Sequence, residues 1–248
     1  MENKRQEKIK ACIAIFIIIL AIIITGSIAI KYSVEGESNM PFELSKVTII
    51  STAEGVQREE TTEKWNLDIV QNNDIYFSIQ KNEKYKKEAM IENISIENIQ
   101  ITKQPTIGEI KTYMPNSSDG RLFTYSDDMV IKDNKLTYKG ALKTNTKTLE
   151  IGNQGGTIVI RIVNSNIGKY ISNEDEEIKH DGTLITKINN NYEDLKFNVS
   201  FDFIIREKNN TFKSNIKIEL PCGNILEQGT SNTEITDKKQ LVFKRVIE

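Results

Sequence analysis

The sequence predicts a mostly β protein, with an N-terminal transmembrane helix followed by an antiparallel β-sandwich-like extracytoplasmic domain. Three observations lead there. Twenty consecutive positions near the start carry no charge. The rest of the chain repeatedly alternates apolar and polar residues with period 2. Beyond the first 30 residues no long segment places apolar residues at i, i+3, i+4 and i+7.

The uncharged run is Ala11 to Ile30, ACIAIFIIILAIIITGSIAI. A helix of that length rises about 30 Å, the thickness of a bilayer's hydrocarbon core. In lipid a helix satisfies its own backbone groups, which overrides the β preference of isoleucine. Residues 1–10 carry Lys4, Arg5, Lys8 and Lys10, and only Lys31 lies just beyond the run. That asymmetry keeps residues 1–10 in the cytoplasm as a short tail and puts the C-terminal domain outside the cell membrane. Ser27-Ile28-Ala29 offers small residues to a signal peptidase, so cleavage after Ala29 is the competing reading. The length of the run favours an uncleaved signal-anchor, because signal h-regions span only about 7–15 residues.

Residues 31–45 are polar and mixed, which suits a stalk. A β-sandwich domain is expected over 46–248; a second break, if there is one, falls near 115–120 in PNSSDG. The first strand is KVTIIS from Lys46. Trp65, Leu67 and Ile69 alternate with polar residues, and so do Ile75, Phe77 and Ile79. Gln71-Asn72-Asn73-Asp74 between them suggests a hairpin turn. Asn82 to Met90 is polar and compatible with one short helix. From Ile94 to Ile101 the apolar phase changes between Ile96 and Ile99, the mark of a bulge or of two faces both partly buried. Ile158, Ile160 and Ile162 share a face opposite Val159, Arg161 and Val163. Leu195 to Ile205 holds one apolar face for eleven residues, with Asn198, Ser200 and Asp202 opposite. Ile216, Ile218 and Leu220 make another strand, and Leu241 to Arg245 closes the chain. Asp119-Gly120 and Asp181-Gly182 are turn signals.

Composition narrows the function classes. Lys and Arg total 33 and Asp and Glu 35, a net charge of -2, which argues against a nucleic-acid partner. One His and two Cys exclude most zinc sites and any disulfide framework. His180, in KHDGT, has no nucleophile elbow to serve. Gly152-Asn153-Gln154-Gly155-Gly156 is followed by a strand rather than a helix, so it reads as a hairpin turn and not a phosphate cradle. Asn173 to Glu177 with Asp181 offers hard oxygen ligands, but its spacing matches no EF-hand; Asp127-Asp128 and Glu193-Asp194 are weaker still. Cys222 reads as a buried thiol and Trp65 as a core residue. Asn93, Asn116, Asn198 and Asn209 head Asn-x-Ser/Thr triplets, of consequence only in a glycosylating host. No residue is assigned a catalytic, cofactor-binding or metal-ligating role, and no cofactor is expected.

The stretch NMPFELSKVTIISTAEG, the NQGG turn and the ending IELPCGNILEQG…LVFKR resemble an uncharacterised family of N-terminally anchored, Ile/Asn/Lys-rich bacterial extracytoplasmic proteins. The resemblance covers most of the chain after the anchor and carries over no site.

The expected function is a single-pass membrane-anchored, non-catalytic protein with a binding or accessory role in the cell envelope. Its partners would be the bilayer, through residues 11–30, and an envelope protein or wall polymer. The alternative is an extracytoplasmic carboxylate-based hydrolase, since paired Asp and Glu can cleave glycosides.

Overall fold

A computed structural model describes residues 2–34, 40–57, 64–116, 121–143, 149–208, 210–237 and 241–246. Asp119-Gly120 and Asn209 lie outside the described residues.

Helix α1, Glu2–Val34, is continuous over 33 residues. Within it the side chains described are those of Lys10 and residues 13–28. Among the described residues no helix is long and apolar enough to cross a membrane. The large apolar side chains from Ile13 to Ile28 are each 46–66% exposed, on all sides of the helix.

The body is mostly β and contains two sheets. The first five strands are β1 (Phe42–Gln57), β2 (Asn66–Lys81), β3 (Ile91–Lys103), β4 (Glu109–Tyr113) and β5 (Leu136–Gly140). Then come β6 (Glu150–Ile151), β7 (Gly155–Ile171), β8 (Phe197–Glu207), β9 (Asn210–Leu220), β10 (Ser231–Ile235) and β11 (Lys244–Val246). Sheet A has the order β10-β1-β2-β7-β4 and sheet B the order β11-β9-β8-β3-β5-β6. Both draw strands from either side of 115–120, so a cut there would separate paired strands. Pairing is antiparallel except between β5 and β6, which run parallel; the expectation of purely antiparallel sheets fails at that short edge.

The period-2 faces meet between the sheets. Phe77 from sheet A contacts Phe201 edge-on and Phe203 tilted, at ring centroids 5.6 and 5.0 Å apart. Phe197, Val199, Phe201, Phe203 and Ile205 of β8 are all fully buried, opposite Ile158, Ile160 and Ile162 of β7. Each such side chain contributes roughly 1.5–3 kcal/mol by leaving water. A smaller core of Leu67, Ile69, Leu184, Ile185, Leu195 and Ile225 closes one end. It lies under a 3-10 helix, Gly182–Ile188, and two single helical turns, α2 (Tyr192–Leu195) and α3 (Ile225–Gln228).

Several local expectations are corrected. Phe42 already pairs with Lys81, so the last residues of the expected stalk belong to the sheet. Gln71-Asn72-Asn73-Asp74 is no turn, because β2 runs straight through it. Its neighbours satisfy Asn73, which donates to the Ile162 carbonyl at 3.0 Å and accepts from the Ser51 hydroxyl at 2.8 Å. Residues 82–90 form no helix, since Asn82 is buried and its side-chain amide donates to the Met40 carbonyl at 2.9 Å, tying the segment to the chain just before β1. Asp181-Gly182 opens the 3-10 helix instead of a hairpin, with the Asp181 carboxylate accepting from the Thr183 amide at 2.8 Å. The bulge in β3 is where the phase change put it: the register slips between Glu97 and Gln100, and Asn98 takes φ 55°.

Candidate functional site

Two charged clusters stand out, one on the outer face of each sheet. On sheet A, β1 and β7 flank β2 and bring Glu54, Asn72, Asp74 and Arg161 onto one face, beneath residues 121–131. Arg161 grips Asp74 with both ends of its fork, Nε to Oδ1 at 2.6 Å and Nη2 to Oδ2 at 2.8 Å. Its guanidinium lies 4.5 Å from the centroid of the Phe123 ring. The Tyr125 hydroxyl donates to Glu54 Oε2 at 2.5 Å and accepts from Asn72 Nδ2 at 2.8 Å. Burial, reinforced by the Glu54 carboxylate, pushes the Tyr125 phenol far above its ordinary range, so it remains a donor. Together these groups hold the 121–131 segment against Val70, Val159 and Val163.

On sheet B, Glu97 and Asp202 are directly paired across β3 and β8. Cross-strand neighbours stand roughly 5 Å apart at Cβ, a spacing that invites comparison with a retaining glycosidase. That chemistry needs one carboxyl with a raised pKa to act as proton donor. Here burial favours raising both, but other groups outweigh it and hold both below their ordinary values. For Glu97 these are hydrogen bonds from Lys135 and Arg206. For Asp202 they are hydrogen bonds from Asn215 and Asn98 with the nearby Lys213 charge. Arg206 reaches Glu97 at 3.1 Å and the Ser95 hydroxyl at 2.9 Å. Asn98 and Asn215 donate to opposite oxygens of Asp202 at 2.8 and 3.0 Å. The arrangement stabilises two ionised carboxylates.

The residues singled out from sequence are dispersed and mostly structural. His180 accepts from the Gly55 amide through Nδ1 at 3.2 Å. The Gly152–Gly156 loop joins strands of different sheets, so it is not a hairpin turn. Asn153 Nδ2 donates to the Ile91 carbonyl at 2.9 Å, and Gln154 to that of Ala89 at 3.0 Å. In the acidic segment Glu176 turns to Lys187, the Asn173 amide and Tyr170, which hold its carboxyl down at about 2. Glu174 faces Lys64 at 3.6 Å. Of the weaker pairs, Asp127 lies 3.8 Å from Lys111 and Glu193 2.7 Å from Lys196. Among the described residues no group of three or more His, Cys, Asp or Glu could hold a metal ion.

Cys222 is buried; its amide donates to the Ser51 hydroxyl at 2.9 Å. Trp65 is 42% exposed, which corrects the core reading. It precedes β2 at the sheet end, where its backbone bonds Ser172 and leaves the indole outside. The Asn93 side chain accepts from Arg206 at 3.3 Å within sheet B. A groove of about 180 Å³ opens between the sheets at Ile99, Ile101, Ile110 and Ile131. It is smaller than the roughly 300–1,000 Å³ of pockets that enclose small-molecule ligands.

In the sequence Arg161 and Asp202 stand out only as face positions, and no pattern marks Glu54, Glu97 or Tyr125. Period-2 alternation assigns each residue a face; it does not say which strands are neighbours, and both clusters come from that pairing.

No known protein family, curated protein or solved structure matches the chain.

Proposed function

We propose that the protein is a single-pass, membrane-anchored extracytoplasmic β-sandwich with a non-catalytic binding or accessory role in the cell envelope. One observation carries the anchor reading. Helix α1 presents large apolar side chains on every side between Ile13 and Ile28, about half or more of each exposed. A buried helix would find protein partners for them, and a surface helix would be apolar on one side only. Adding the uncharged residues 11–12 and 29–30 brings the apolar run to the length of a bilayer core. The cations of residues 1–10 favour a cytoplasmic N-terminus, with the β body outside.

The non-catalytic reading is supported by how fully the charged clusters are engaged: Asp74 by Arg161, Glu54 by Tyr125, and Glu97 and Asp202 by cations and amides. A lipid bilayer is the proposed partner of α1, and an envelope protein or wall polymer that of the body. Protease added to intact cells tests the topology: the β body should be digested while a short fragment containing residues 1–30 stays protected. Full protection of the body in intact cells, with digestion only after lysis, would overturn the reading.

A further inference from the structure

We propose that the end of the β body next to α1 rests on the bilayer surface, where its cations recognise anionic lipid headgroups. The inference rests on the anchor reading above and adds an orientation and a lipid chemistry to it.

The tether is short. From Val34, the last residue of α1, to the buried Met40 is six Cα steps, at most about 20 Å. β1, by contrast, is 16 residues long, roughly 50 Å. Whichever end of the strands carries Met40 must therefore face the bilayer. Register defines that end: Phe42 pairs with Lys81, Gln80 with Gly155, Ile91 with Glu207 and Val246 with Thr211.

Charge separates this end from the other. Residues 40–43, 80–92, 139–142, 149–155, 207–208 and 244–246 hold eight cations, all exposed, among them Lys84, Lys86, Lys87, Lys139, Lys208 and Arg245. The same residues hold six carboxylates, of which only Glu83, Glu88 and Glu150 are exposed. None of the eight cations is in an ion pair among the described residues. At the far end the balance reverses, with nine carboxylates and five lysines across residues 64–68, 169–196 and 225–228. Exposed apolar side chains accompany the cations: Met90 is 52% and Leu142 73% exposed. An anionic surface attracts the near end and repels the far end within a Debye length of about 10 Å.

The test uses the full chain in lipid nanodiscs of phosphatidylcholine, with or without phosphatidylglycerol, carrying nitroxide-headgroup lipids. A fluorophore is attached at Lys87→Cys or at Glu227→Cys, with the unsubstituted chain as labelling blank. With phosphatidylglycerol the label at 87 should be quenched and that at 227 should not. Omitting the anionic lipid, or adding Lys84→Gln, Lys86→Gln and Lys139→Gln, should abolish most of the quenching at 87. Equal quenching at both positions overturns the orientation, and quenching at 87 that persists through both changes overturns the headgroup recognition. Flotation of the same samples separates the two readings: a chain that does not float with lipid defeats the anchor itself.

Discussion

The outer face of sheet A combines a charged cluster with an apolar patch and is covered, whereas that of sheet B is polar and internally paired. On A, Val70, Val159 and Val163 pack with Phe123 and Tyr113, and one partly buried ion pair, Arg161–Asp74, fastens the cover. On B, Ser95, Glu97, Asp202 and Arg206 bond mainly to their own cross-strand neighbours. The same backbone geometry thus yields a three-layer region on one side and a two-layer edge on the other. What differs is the residue at alternate positions: valines must find an apolar partner, while charged side chains can satisfy one another along the sheet.

The largest effect that could break this contrast is at Arg161. Arg161→Met leaves Asp74 mostly buried without its partner, and breaking such a pair costs about 3–5 kcal/mol. Denaturant unfolding should show that loss, and limited proteolysis should show residues 121–131 released first. Phe123→Ala should cost about 3 kcal/mol, at the low end for Phe truncation because the ring sits at the rim of the protein. On sheet B, Arg206→Met should cost only about 1 kcal/mol, since Glu97 keeps Lys135 at 3.2 Å. An Arg206 effect as large as that of Arg161 would erase the distinction.

Proton linkage gives a gentler contrast. Glu97 and Asp202 titrate below their ordinary values of 4.5 and 3.8. Their stabilisation is present above those values and is lost as pH falls through the lower, folded ones. Tyr125, Tyr113 and Tyr76, on the covered face of A, are pushed above 10.0, chiefly by burial. Their contribution is intact below pH 10.0 and fades as pH rises beyond it. Amide hydrogen exchange should therefore report acid loosening in β3 and β8 and alkaline loosening around 121–131. The opposite assignment would contradict the networks described.

Much of the fold was legible because burial imposes period 2. The faces of β7 and β8 follow from apolar phase alone, and the phase change in β3 marks the place where the register slips. The failures have a common cause. Gln71 to Asp74 reads as a turn because amides usually stay in water, yet Ser51 and the Ile162 carbonyl satisfy Asn73 inside the sheet. Trp65 alternates with core residues but lies just beyond the sheet's last pairing. The Gly152–Gly156 loop reads as a hairpin because sequence does not show that its flanking strands join different sheets. Gly140 has a comparable hidden constraint: a Cβ there would come within 2.2 Å of the Ile91 carbonyl oxygen. The two charged clusters were illegible for the same reason, each requiring partners at least 70 residues apart, such as Tyr125 with Glu54 or Arg206 with Glu97.

Whether α1 holds this body in a bilayer is tested most directly by washing cell membranes with alkaline carbonate and weighing the retained chain by intact mass spectrometry. The anchor account predicts a protein that stays in the pellet with residues 11–30 still attached. A chain released into the wash, or one shortened to begin at Ile30, would contradict it.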